Sequence, residues 1–577
     1  MSNLKTGLQN SLENSIYTNF LAFGSENFDL DKYSPNSVIN NSEQDNIANA
    51  STENEAIAVG ETTATATVEA EAIAIADADT VGIENTKRIR FKKGNNAVVG
   101  TAVKNDFATS TVDAVAIATG GTTAISTVDA IATATANGVA VGIDNSGRIE
   151  TRNGHDLITG TAEKNSEAIS AASVNTLSSA DLEVFSSAMV ETNSTADGVA
   201  VGIGNSGRID TGKDNDAIVG TALQNSVALS AVDAGEINTT TIADGLAIGI
   251  DNSGKIHTGD GDDVITGTAE TNSLAVSDAY AEVVAVGDTL AEAIADIEVT
   301  ATANGVAVGI GNSGRISTGK GNDVVVGTAT TNSEAVAIGN AVTSATANDE
   351  AIATAEVEAV SVAGSIAIGI DNSGRIITDA GNDLVMGIAN VSSAAVANAN
   401  ADAEAFADNP FSDTVTNSLA DNLNSVAIGI NNSGRIDTGN GNDKILGYGT
   451  TSGIANGVIC AGNGDDYIHA AITESDPLTG EITFLPDQTG AVENAKIYGG
   501  RGNDVFEIGG FNGKVCLDGG RDRDTLKLSG SFDEYTIISS SPRNNTVTFG
   551  NLDSTMTVRN FEEFYFENEV YSFSELV

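Results

Sequence analysis

The sequence predicts an all-β fold, a parallel β-solenoid, on three observations. One block recurs: the isoleucine of a Gly-Ile step stands at Ile83, Ile143, Ile203, Ile250, Ile310, Ile370 and Ile430, in steps of 60, 60, 47, 60, 60 and 60. A fixed period of this size marks units that stack along an axis. Between these points small apolar and polar residues alternate, as in Ala351-Ile352-Ala353-Thr354-Ala355-Glu356-Val357-Glu358, and period-two alternation reads as a strand with one buried face. Only seven of the 26 aromatic residues fall between residues 51 and 450, so a core of large side chains is not the design there.

The elements follow in chain order. Residues 1–50, with Tyr17, Phe20, Phe23, Phe28 and Tyr33, are expected to form a leader or cap with a short helix over the first open coil. Residues 51–450 are expected to hold about seven copies of the repeat, with alanine and valine suited to a thin interior between closely facing strands. The short step drops part of the block between Ala222 and Leu246, as a solenoid allows where a loop bulges from a coil. Residues 451–530 carry the clearest glycine loops. Residues 531–577 are rich in aromatics, including Phe561, Phe564, Tyr565 and Phe566, and read as a terminal cap over unpaired strand edges. The interval from Gly499 to Gly519 suggests a coil of about 20 residues. Each 60-residue block would then make three coils, placing successive glycine loops about 14 Å apart in a rod of about 25 coils and roughly 120 Å.

The repeat also carries a loop with a chemistry of its own. Thr438-Gly439-Asn440-Gly441-Asn442-Asp443-Lys444-Ile445-Leu446 is one residue from the nonapeptide Gly-Gly-x-Gly-x-Asp-x-U-x, where U is large and apolar. Gly499 to Glu507 matches it in full, Ala461 to His469 lacks the first glycine, and Gly519 to Lys527 has Asp522 at the third. Glycines permit the tight turn and leave carbonyls open, the aspartate supplies a hard anionic oxygen, and the apolar residue returns to the core. The sixth position holds Asp156, Asp216, Asp263, Asp323, Asp383, Asp443, Asp466, Asp504 and Asp524, but Asn96 in the first, basic copy.

These loops resemble the calcium-binding repeats of RTX, or hemolysin-type, secreted proteins. The resemblance implies a right-handed, β-roll-like solenoid and Ca2+ as cofactor. It also implies ligands drawn from those aspartates and from Gly462, Gly464, Asp465, Gly500, Gly502, Asn503 and Asp522. At a separation of about 14 Å the internal loops could not share an ion. That leaves two readings for them: weak sites completed by unlike neighbouring coils, or plain turns. The stretch from Asp524 to Glu562 and the final Ser574-Glu575-Leu576-Val577 also resemble the closing segment and uncleaved export signal of that family. The implied partner is a type I exporter and the implied location extracellular. No apolar run follows Lys5, and no stretch reads as a membrane span.

Charge narrows the function classes. With 27 basic against 79 acidic residues and a net charge of −52, the chain is expected to repel nucleic acid and anionic membranes and to gather cations. Clustered carboxylates such as Asp260, Asp262 and Asp263 would resist compaction until a divalent ion offsets their repulsion, coupling binding to folding. A basic residue nonetheless repeats at Arg88, Arg148, Arg208, Lys255, Arg315, Arg375 and Arg435. Its readings are local pairing with acids or a row that grips anionic polysaccharide. Cys460 and Cys516 read as small buried residues rather than a disulfide. The three histidines lie in or beside repeat turns, and neither His-Glu-x-x-His nor Gly-x-Ser-x-Gly occurs, so no enzyme is expected. The expected role is a structural, surface or matrix protein that folds on calcium. The alternative is a polysaccharide-binding adhesin, with a carbohydrate-active enzyme behind it; self-assembly is a further possible partnership.

Overall fold

The computed structural model describes residues 37–180, 183–423, 425–475, 482–485, 491–551, 553–567 and 569–576. The expected helix and cap within residues 1–50 fall outside it up to residue 36; from Ser37 onward the chain is already strand. Three long sheets, almost wholly parallel, wrap one axis, as an all-β solenoid requires.

The coil length differs from the expectation. Ser37 pairs with Ala97, and Ala97 with Leu157, so strands pair at the full repeat interval and one block makes one coil, not three. The first coil runs out along Ser37–Gly60 (β1), reverses, returns along Thr63–Asn85 (β2), and crosses a short third side at Arg88–Arg90 (β3). We call the sheets that begin with β1, β2 and β3 front, back and third. The front sheet has thirteen strands on its main path, the last antiparallel, so the stack is about 55 Å tall at the strand spacing rather than roughly 120 Å. A strand of 23 residues spans about 75 Å, so the molecule is broader than it is tall.

Each coil has two parts with different cores. Near the third sheet it is a three-sided prism, to which each face contributes one β-branched aliphatic residue: Ile143, Ile149 and Ile158 in one coil, Ile203, Ile209 and Ile218 in the next, with Val98, Val325 and Val385 on the front face of others. Beyond, front and back sheets lie face to face as a two-layer fin packed with alanine, for example Ala114, Ala116, Ala130 and Ala132, all fully buried. A methyl side chain fills the gap only because the layers approach closely.

Between prism and fin the sheets touch backbone to backbone. A Cβ on Gly160 of the front sheet would lie 2.1 Å from the Gly202 carbonyl oxygen, and one on Gly142 of the back sheet 2.4 Å from the Thr161 nitrogen. The Gly-Ile step that marks the repeat is therefore a waist glycine followed by a prism isoleucine. The short step of the repeat also differs from expectation. It cuts both fin strands to 17 residues, Ala217–Asp233 and Glu236–Asn252, rather than removing a bulge. Glu183 and Val184 then pair directly with Leu290 and Ala291 across the missing tip.

The fin stops near residue 423 while the prism continues. Lys444 pairs with Tyr467, Tyr467 with Val505, and Val505 with Thr525, so the short coil expected from Gly499 to Gly519 is real but confined to this narrow roll. Its core turns aromatic, with Phe506 edge-on to Phe561 at 5.0 Å. Antiparallel strands Thr536–Ser541, Thr546–Asn551 and Ser554–Arg559 close the end.

Candidate cation site: a buried column of aspartates

The loop between third and front sheets is built on left-handed backbone. Gly439 and Gly441 have φ of 100° and 135°, and Gly462, Gly464, Gly500 and Gly502 lie between 121° and 134°. A Cβ on Gly441 would sit 1.6 Å from the Gly381 carbonyl oxygen one coil away. At four loop positions where another residue replaces glycine the left-handed backbone is kept: Arg152, Asp214, Asp379 and Asp522 have φ of 79°, 79°, 67° and 87°. The Asp522 loop therefore holds the common shape.

Because one block is one coil, all the loops stack directly. The sixth-position aspartates form a continuous column at about 4.8 Å spacing, and none of the nine is more than 2% exposed. The N–H of each donates to Oδ1 of the aspartate in the next coil at 2.8–2.9 Å. Asn96 starts the column by donating to Asp156 Oδ1 at 2.8 Å, and Asp524 ends it by donating to Glu562 Oε2 at 2.9 Å. The expectation that internal loops stand too far apart to share an ion is overturned.

The second carboxylate oxygen sets the chemistry. Oδ2 of every column aspartate except Asp323 is buried without a hydrogen-bond partner. Beside Asp504 Oδ2 lies Gly499, whose added Cβ would come within 2.2 Å, and Gly519 is placed likewise against Asp524 Oδ2 at 2.6 Å. In the internal coils a threonine takes that glycine's place. Thr318 donates to Asp323 Oδ2 at 2.5 Å. Thr151, Thr211, Thr258, Thr378 and Thr438 instead donate to the carbonyl one coil on, at 2.9–3.1 Å and 3.2 Å. Against the nonapeptide these threonines are simple departures; their recurrence five positions before each internal aspartate is the signal that marks them as part of the site.

Burial pushes the column's carboxyls up. Asp216 rises to about 9, Asp466 to about 8, and Asp323, Asp383 and Asp524 to about 7. Asp156, Asp263 and Asp504 reach about 6, and Asp443 is raised for the same reason. Desolvation is the main cause, opposed in the internal coils by the threonine hydroxyl beside each carboxyl and all along the column by the N–H bonds. Each orphaned Oδ2 thus needs a proton or a cation. Orphaned hard oxygens beside open glycine backbone suit an oxygen-ligated divalent ion. Among the described residues, however, no three His, Cys, Asp or Glu side chains converge on one point. An ion here would draw on carboxylates of successive coils and on loop carbonyls.

The remaining residues are placed differently. Asp465 and Asn503 belong to an exposed outer ladder, Asn503 N–H donating to Asp465 Oδ1 at 2.7 Å and Asp465 N–H to Asn442 Oδ1 at 2.9 Å. A third, buried ladder is not foreseen from the sequence: the asparagine before each Ser-Gly pair, and Asn85 before Thr86-Lys87 in the first copy, donates to its successor at 2.6–2.7 Å, from Asn85 to Asn432. The basic row is in register, as expected. Arg88 and Arg148 meet Glu150, Arg208 meets Asp210 at 2.6 Å, and Arg375 and Arg435 meet Asp437 at 3.3 and 3.0 Å. In the two central coils the acid's position holds His257 and Ser317, and Lys255 and Arg315 have no ion-pair partner among the described residues. An open cleft of about 550 Å3 includes His257 and is lined by Gly212, Gly259 and Gly319 and by side chains of both charges, Lys213 and Lys320 with Asp260 and Asp379; Lys213 meets Asp260 at 3.2 Å. Cys460 and Cys516 are free and half-buried. Among the described residues no helix is long and apolar enough to cross a membrane. No family model, curated protein or solved structure matches the chain.

Proposed function

We propose that the protein is a secreted, calcium-binding β-solenoid with a structural role at a cell surface or in an extracellular matrix, folding on calcium after export by a type I system. One observation carries this reading: nine buried carboxylates stacked one per coil, eight of them with Oδ2 unpartnered. A column that is costly to ionise alone and neutralised by divalent ions couples ion binding to folding. The net charge of −52 acts in the same direction. The resemblance of the loops to RTX repeats supplies the ion and the export route.

Titration calorimetry tests the site. Calcium should bind the intact chain, and Asp504→Ala should weaken it and loosen the narrow roll; equal heats from both proteins would refute the assignment. Export is tested separately, by deleting residues 531–577. The truncated chain should stay inside the cell, and its normal secretion would remove the localisation.

A second reading has one observation behind it. Lys255 and Arg315, adjacent in register and without ion-pair partners among the described residues, suit the carboxylates of an acidic polysaccharide. Retention of the protein on an acidic but not a neutral glycan, abolished by Lys255→Ala with Arg315→Ala, would favour an adhesin.

A further inference from the structure

The end of the fin leaves two strands without partners on one side. Leu384–Phe406 of the front sheet is paired along its whole length with Val324–Thr346 below, but above it Lys444–Gly449 covers only Leu384–Ala389. Residues 390–406 thus present alternate N–H and C=O groups with no partner strand among the described residues. In the back sheet, Asn409–Asn422 pairs only with Glu350–Ala363 below. Apolar side chains are exposed along the same rim: Val396, Phe406, Phe411, Val415, Leu419 and Leu423. A long, flat edge of this kind is a template for another strand.

We propose that this rim is a dimer interface: two copies meet edge to edge about a two-fold axis normal to the fin, each sheet extended by its partner in antiparallel pairing. The axis follows from the shape of the step. The prism continues past the fin as the narrow roll, so a second copy stacked in the same orientation would place its prism where the roll already stands. Turned by the two-fold, the partner's prism falls at the opposite end and its fin alone faces this one. The free front stretch is centred on Asn398, eight residues from its tip end at Phe406, and the residue equally far from the tip in the back sheet, counted from Asn409, is Asn417. Pairing about Asn417 sets Phe411 against the partner's Leu423 and Val415 against the partner's Leu419, cross-strand apolar pairs on one face. An edge about 50 Å long, in two layers about 10 Å apart, matches the roughly 800 Å² per partner of a stable interface. The same register sets Asp413 against the partner's Asp421, so repulsion opposes the dimer and salt strengthens it.

Sedimentation of the full chain tests this, with circular dichroism as the check on folding. A two-chain species should form and tighten with salt. Val415→Lys, on an exposed face, should weaken it about tenfold by spoiling two symmetric pairs. Asp413→Asn with Asp421→Asn should tighten it. In a background with Cys460 and Cys516 replaced by serine, Asn417→Cys on the axis should cross-link to its own copy on oxidation. A monomer at all concentrations, a head-to-tail series that grows with concentration, or a dimer indifferent to Val415→Lys would overturn the proposal. Failure here leaves the cation column untouched, because the two share no residue.

Discussion

At the residue scale, two positions say most about how tightly the loops and waist are specified. Arg152 occupies a glycine position with φ of 79°. Left-handed backbone costs a residue with a Cβ about 1–2 kcal/mol, so Arg152→Gly should raise stability by about 1 kcal/mol in denaturant unfolding. At the waist the sign reverses. Gly160→Ala places a methyl 2.1 Å from a backbone oxygen that no rotamer change can move, and should cost roughly 3 kcal/mol or more. The column makes a prediction in pH. An acid whose folded pKa is raised adds stability that is complete below its unfolded pKa near 3.8 and is lost as pH rises through the folded value. In chelator, the chain should therefore hold its β signal near pH 5, with the column protonated, and lose it as pH rises to 9, across the values of about 6 to 9 held by these aspartates. Calcium should restore the signal at the upper end of that range. A β signal in chelator that grows from pH 5 to pH 9 would show that the carboxyls are not buried as described.

At the scale of elements, the strands are legible in the sequence and their length is not. Alternation from Ala351 to Val360 identifies one buried face, and Ala351, Ala353, Ala355, Val357 and Ala359 are indeed buried. Yet period-two alternation carries no mark of where a strand reverses. Strands of 23 residues lie far outside the usual range of about 3–10, which is why the alternation alone favours a short coil. Glycines at the fin tip, such as Gly60, Gly120, Gly121 and Gly287, are the available signal. The column's aspartates can be named from their spacing, but their stacking cannot, because it depends on coil length. The buried Lys104–Asp106–Lys164 cluster, with contacts of 2.8 and 2.7 Å, is hidden in the sequence, since Gly138 on the facing strand makes the room for it. The short fourth coil shows that the fin tolerates loss at its tip. Deleting Ala116 alone, by contrast, moves every residue between it and the tip to the opposite face. That variant should melt well below one lacking residues 118–119 and 124–125, which shortens both strands by two residues and keeps the turn; equal melting would contradict the paired-strand fin.

At the scale of the whole molecule, a broad fin and a narrow roll share one prism, and through the prism runs one column of carboxylates. Its consequence is collective. Each coil's aspartate accepts an N–H from the coil before and donates one to the coil after, so order in one coil templates the next, as in repeat proteins whose stability is a sum of neighbour terms. On the proposed calcium reading, the roll, with its open glycine backbone beside Asp504 and Asp524, would be where ions nucleate that order, with the fin following from it. The most direct measurement is far-ultraviolet circular dichroism of the full chain after chelation, titrated with calcium and in parallel with magnesium. A cooperative gain of β signal with calcium and not with magnesium is the expected result. A chain fully folded in chelator, and unchanged by either ion, would contradict ion-coupled folding and leave the column as a protonated structural spine.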